Sequence, residues 1–291
     1  MQNLSLSTDQ IDQLVQEKAT CPFIGPAVRQ GTLSVRNSAA EPLANVSELE
    51  RLGDSGGGNL GSLVLTFFAN ANHGRLPGAD GQFEALVPEG LFSLDFPGSN
   101  GAHPGHSGIL MGDPTKMDTG RFEKHAFDRL AALADDNGRL TYAAIGRFIA
   151  DNVERDPDAR ILPAIDVAKA VLGAADDVVA DAINQVLEFF GHMPDHEDQI
   201  KRREAIVSLA RQDNLIGSAG EFGLLFAFLA NRPEAESEKG FDGIRLSDVE
   251  AMFKEKELPE GWETWPKDIG DWLHATMQIW REALRFSKHS E

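Results

Sequence analysis

IDVAKAVLGAADDVVADAINQVLEFF, residues 165–190, places apolar side chains at Ile165, Ala168, Val171, Leu172, Ala175, Val178, Val179, Ala182, Ile183, Val186, Leu187 and Phe190. Steps of three and four residues put them on one face of an α-helix, whose repeat is about 3.6 residues. Gly191 and Pro194 then supply a stop. The same spacing predicts helices over 122–133, 142–153, 204–211, 222–230, 246–253 and 269–286, whereas no run alternates with the period of two that a half-buried strand requires. The expected fold is therefore all-α: one mostly helical domain spanning 1–291, with 1–20 as an N-terminal extension. Residues 51–120, rich in Gly, Pro, Asn and Asp, form a long loop-rich segment in the N-terminal half.

The chain's 291 residues suffice for a sizeable core, and its 42% hydrophobic content is that of a globular protein. Its 27 basic and 46 acidic residues give a net charge of −19, which repels phosphate backbones and anionic lipid. No nucleic acid and no membrane are therefore expected as partners; the oligomeric state is left open. The opening MQNLSLSTDQIDQLVQEKAT has neither a basic leader nor an apolar run, so it does not read as a signal peptide. A soluble, reducing, cytoplasmic setting is the expectation, and a single free thiol suits it.

That thiol is Cys21, in CPFIGPAVRQGTL. A lone cysteine can form neither an internal disulfide nor a Cys-rich zinc site, so any chemistry it does is as a nucleophile or as one axial ligand; a small buried hydrophobe is the other reading. Glu221 heads EFGLLFAFLA, otherwise apolar to residue 230. A carboxylate pressed against phenylalanines loses solvation and can shuttle protons near neutral pH, although a first-turn glutamate facing a helix N-terminus fits the same residues. GGGNLG at 56–61 matches G-x-G-x-x-G, but the polar SELERLGDS before it is no strand, so it reads as a flexible loop. ADDNGRLT at 134–141 contains part of a calcium-loop pattern, with Leu133 and Ala144 where the first and last ligands belong, and reads as a helix-ending turn. His192 and His196 flank Pro194 without the glutamate of H-E-x-x-H, so they read as solvated loop histidines.

Taken in order, these segments resemble the haem-thiolate chloroperoxidase and unspecific peroxygenase family, also called peroxidase family 2. CPFIGPAVRQGTL keeps the family's Cys-Pro, with Gly31 and Leu33 at matching distances and Thr20 where a proline stands in the family. GLFSLDFPGSNGAHPGHSGIL lies where the family has Glu-(His/Gly)-Asp-x-Ser; His103, Pro104, Gly105, His106 and Ser107 occupy the five positions, and only the serine is retained. RFEKHAFDRLAALADDNGRLTYAAIGRF and EFGLLFAFL resemble two further family segments, and GIRLSDVEAMFKEKELPEGW resembles the one ending in Leu-Pro-x-Gly-Trp. ANHGRLP at 71–77 copies a family phrase about 40 residues too late for its usual place, which an inserted loop accommodates.

The resemblance implies a chloroperoxidase-like helical fold and haem b, with Cys21 as the iron's axial ligand. A thiolate in that position pushes electron density toward bound peroxide and favours O–O cleavage. Glu221 becomes the distal acid-base. The family's assisting arginine and histidine fall on Asn214 and Pro104, which leaves His103 or His106 for that part; His106 is placed with Glu221, and His103 and Ser107 with the cofactor. A magnesium or manganese ion sits beside a haem propionate in the family, and most of its ligand motif is replaced here. Phe222, Phe226 and Phe228 are available to line a substrate channel or to pack a core. The expected activity is that of an oxidoreductase, a peroxidase or peroxygenase using hydrogen peroxide on small apolar or aromatic molecules, or on halide. Two other classes stand beside it: a haem-binding or sensor protein of the same fold, and a haem-free helical interaction protein.

Overall fold

The computed structural model describes residues 3–19, 21–61, 65, 76–77, 83–84, 90–95, 124–155, 215–229, 231–232 and 243–287. The opening stretch at 165–190 lies outside the described residues, as do the predicted helix at 204–211 and His192 and His196. Over the described residues the protein is mostly helical.

Two predicted helices have the expected bounds, because caps and apolar periodicity agree there. The hydroxyl of Thr141 accepts the N–H of Ala144 at 3.1 Å and opens Tyr142–Val153 (α5); the carboxylate of Asp268 accepts the N–H of Gly270 at 2.6 Å and opens Ile269–Phe286 (α8). The helix expected at 122–133 is Lys124–Ala131 (α4). Leu246–Glu250 (α7) continues as a π-helical turn, Ala251–Glu255, which ends on Lys256 in the left-handed conformation, φ 56°.

Leu215–Leu229 (α6) begins well before the predicted residue 222. It is apolar on all sides because it is the central element, packed along α8 and α5. Gly223 permits that closeness: a Cβ there would collide with the hydroxyl of Thr276 on α8.

Three helices were not foreseen. Thr8–Glu17 (α1) opens with a capping box in which Ser7 and Gln10 exchange hydrogen bonds of 2.9 and 3.3 Å, and Leu14, Val15 and Ala19 enter the core. Ile24–Arg29 (α2) follows Cys21 directly, and Val46–Gly53 (α3) precedes the glycine-rich loop.

The described residues are mostly helical, as expected, with small antiparallel sheets beside the helices that the sequence did not announce. Arg36–Asn37 (β1), Pro42–Asn45 (β2) and Leu91–Ser93 (β5) form one in the order β1-β2-β5; Leu76–Pro77 (β3) pairs with Phe83–Glu84 (β4); Arg139–Leu140 (β6) pairs with Ile244–Arg245 (β7). Strands of two to four residues are too short to display alternation. ADDNGRLT is the turn between α4 and β6, as expected. One oxygen of the Asp135 carboxylate is taken by the N–H groups of Asn137 and Arg139, at 2.9 and 2.8 Å.

GGGNLG is a loop, but a docked one. The N–H groups of Asn59 and Leu60 donate to the Lys267 carbonyl at 2.9 and 3.2 Å, and Gly58 lies so close that a Cβ would strike that same carbonyl. Gly56, Gly58 and Gly61 serve close backbone approach, whereas Gly57 supplies a left-handed turn, φ 84°. Among the described residues, no helix is long and apolar enough to cross a membrane.

Candidate functional site

Cys21, in the turn before α2, is half-buried and packs against the core. Its carbonyl accepts the N–H of Gly25 at 2.9 Å. Desolvation pushes the thiol up to about 11; hydrogen bonds from the N–H groups of Ile24 and Phe23 and the nearby Lys256 charge pull it down, while the Glu221 carboxylate pushes it further up. The structure thus brings Cys21 within electrostatic reach of both Glu221 and Lys256, from three segments far apart in sequence.

Two devices hold this arrangement. The guanidinium of Arg29 donates to the Glu255 carbonyl at 2.5 Å and the amide of Gln30 to the Leu258 carbonyl at 3.4 Å, tying α2 to the segment that carries Lys256. Phe23 stacks on Phe228 at 4.5 Å between centroids, and both meet Trp262, at 5.3 and 5.6 Å. Phe228 lies seven residues after Glu221, two turns along the same face of α6. The segments that contain Cys21, Glu221 and Trp262 therefore converge on one aromatic cluster.

Glu221 is half-buried in the interior of α6, the seventh residue of that helix. The first-turn reading is corrected accordingly: the helix starts too early for Glu221 to serve its N-terminus. Phe222, Phe226 and Phe228 are all at most 2% exposed, and each packs against another aromatic ring: Phe148, Tyr142 and Phe23 respectively. They are core residues. His103, His106 and Ser107 lie outside the described residues. Among the described residues, no group of three or more His, Cys, Asp or Glu could hold a metal ion, and a single axial sulfur is not such a group.

Two contributors were missed from sequence. Lys256, only 9% exposed, has its ammonium pushed down to about 8 by burial, opposed by Cys21. Only its left-handed turn places it there. Trp262 was visible inside the quoted LPEGW, but not as part of a cluster with Phe23. It is 1% exposed, and its indole Nε1–H has no acceptor among the described residues. Beneath it, the Lys267 ammonium stands 3.9 Å from the ring centroid.

A thiol near 11 is no nucleophile at neutral pH, since the thiolate is the reactive form. A bound metal ion, by contrast, deprotonates its thiol ligand outright. The two N–H donors and the Lys256 charge lower the thiol pKa but are outweighed by desolvation and the Glu221 carboxylate, so the setting alone keeps Cys21 a neutral thiol, and a thiolate ligand there requires the charge of a bound metal ion.

The titration gives a checkable profile. Unfolded cysteine loses its proton near 8.5 and folded Cys21 near 11, so the folded state binds more protons in between and stability falls as pH rises through that window. Lys256, depressed to about 8, contributes the opposite slope up to the unfolded lysine value near 10.4. Urea unfolding of wild type and Cys21→Ala from pH 7 to 11 separates the two. Wild type is expected to lose about 3 kcal/mol relative to the variant by pH 11; a constant gap refutes the assignment.

Comparison of the chain with family models, with curated proteins and with solved structures gave no match.

Proposed function

We propose that this protein is a haem-thiolate peroxidase or peroxygenase in which Cys21 is the axial ligand and Glu221 the acid-base. The observation that carries this reading is the convergence of Cys21 and Glu221, with Phe23, Phe228 and Trp262 packed between their segments. Haem, when bound, supplies the two-electron redox chemistry of peroxide cleavage. The residues of the chain supply the rest. The N–H groups of Phe23 and Ile24 stabilise the Cys21 thiolate, and the Lys256 charge offsets its negative charge in a desolvated setting. The Glu221 carboxylate takes the proton from one oxygen of hydrogen peroxide and returns it to the other, which leaves as water. Small apolar or aromatic molecules are the proposed substrates, His106 the proposed assisting residue, and His103 and Ser107 proposed cofactor-binding residues.

The test is the absorption spectrum of haem-reconstituted protein after dithionite and carbon monoxide. Wild type should show a strongly red-shifted Soret band, and Cys21→Ala should abolish it. The raised thiol pKa equally suits a haem-free interaction protein with Cys21 as a neutral core thiol. A fully folded protein that takes up no haem, or a spectrum indifferent to the substitution, establishes that second reading in place of the first.

A further inference from the structure

Four protein oxygens close around the Lys267 ammonium: Nζ donates to the Trp265 carbonyl at 2.7 Å, to the Trp262 carbonyl and the Ser55 hydroxyl at 2.9 Å each, and to the Ser55 carbonyl at a longer 3.4 Å. A further side is closed by the Trp262 ring, whose centroid lies 3.9 Å from Nζ. An ammonium has three protons, so four oxygens and a ring are more partners than directed N–H bonds can serve. The surplus is the pattern of an ion's coordination shell, in which carbonyl oxygens and an aromatic face take the place of water. The shell is assembled from two segments remote in sequence. The N–H groups of Asn59 and Leu60 donate to the Lys267 carbonyl, and Gly56 lies so close that a Cβ would strike the Trp265 carbonyl. Neither the loop nor the turn encloses the cation alone.

The spacing selects the class of ion. Oxygens at 2.7–2.9 Å stand farther off than the ~2.0–2.1 Å of magnesium or the ~2.3–2.6 Å of calcium, so a larger ion is the one that fits. The charge is selected too. Among the described residues, the oxygens in contact with Nζ belong to carbonyls and a hydroxyl and none to a carboxylate, which suits one positive charge rather than two. We propose that this cage is a monovalent-cation site of the potassium and ammonium class, filled by the chain's own Lys267 ammonium, and that the tethered cation is what joins the 55–60 loop to the 262–267 turn. The position is already occupied by a positive charge of the right size, so the site needs no cavity in the wild-type protein. It is separate from Cys21 and from whatever Cys21 binds.

The test empties the cage and refills it. Lys267→Ala keeps every oxygen and removes the tethered charge; its urea unfolding at pH 7 is followed in the chlorides of ammonium, potassium, sodium and lithium at one ionic strength, so that general screening is the same in all four. Ammonium or potassium at about ten times its dissociation constant should raise the folding constant of the variant about tenfold, while sodium and lithium at the same concentration change it by less than about twofold. Wild type, whose cage is filled, should show no preference among the salts. Equal effects of the four salts on Lys267→Ala, or the same preference in wild type, overturn the site. A variant that folds in ammonium or potassium and not in sodium supports it. Should Lys267→Ala fold in none of them, wild type labelled with 15N-lysine decides the matter. The Lys267 ammonium, assigned as the signal that is lost in Lys267→Met and kept in Lys256→Met, should show protons that exchange slowly with water at pH 6, because the cage shields them. Exchange as fast as that of surface lysines overturns the proposal.

Discussion

Glu221→Gln should lower peroxide-driven turnover by about 10³-fold while leaving haem affinity and the ferrous carbon monoxide spectrum unchanged. The magnitude is that of one positioned proton-transfer group, commonly 10²–10⁴. Gln matches Glu in size and can still accept a hydrogen bond, so α6, including its contacts through Phe222 and Phe228, should be retained. What is lost is the ability to hold a proton between its removal from one oxygen and its delivery to the other. Stopped-flow mixing with peroxide should show the defect in the first step. Because the same carboxylate raises the Cys21 thiol pKa, the substitution should also lower that pKa, readable as faster thiol alkylation at pH 9 in the haem-free protein. Wild-type turnover in the variant would remove Glu221 from the mechanism; unchanged alkylation would remove it from the neighbourhood of Cys21.

The largest stability effect is expected at Lys267, which has no solvent exposure. Its Nζ donates to the Trp265 carbonyl at 2.7 Å, the Trp262 carbonyl at 2.9 Å and the Ser55 hydroxyl at 2.9 Å. Burial pulls its pKa down to about 8, so at neutral pH it remains an ammonium with all three protons available for these bonds. Lys267→Ala removes the donor, leaves buried carbonyls unpaired and opens a cavity beneath Trp262. A loss of about 3 kcal/mol or more in urea unfolding is expected. Lys267→Met, which keeps the length of the stem, should recover the packing part alone and fall between. A loss under about 1 kcal/mol in Lys267→Ala would mean that the cage contributes little.

The amphipathic part of the architecture could be read from the chain, and the reason is visible in α5 and α8. Thr141 and Asp268 cap helices whose apolar face is distinct from their polar one. Periodicity fails where burial is complete, as in α6, whose start in LIGSAG gives no contrast between faces. It also missed α2, because Gly25 and Pro26 look like loop residues although Pro is tolerated in a first turn. The Ser7–Gln10 capping box was legible and passed over. At the site, Cys21 and Glu221 could be singled out because each is chemically conspicuous in its surroundings. Lys256, the Lys267 cage and the stranded indole of Trp262 are products of tertiary packing, and no spacing rule announces them.

Ordering of synthesis gives the aromatic cluster a temporal meaning. Phe23 leaves the ribosome first, Phe228 some two hundred residues later, and Trp262 later still. At roughly 5–20 residues per second, the Cys21 segment waits on the order of ten seconds or more for the surfaces that cover it. Any prosthetic group gripped by all three segments can be captured only after Trp262 has been made, and until then the thiol is open to oxidants and to other metal ions. Under the haem-thiolate proposal, loading the site would be a step of maturation, separate in time from folding of the N-terminal helices, with a yield set by what the growing chain meets while it waits.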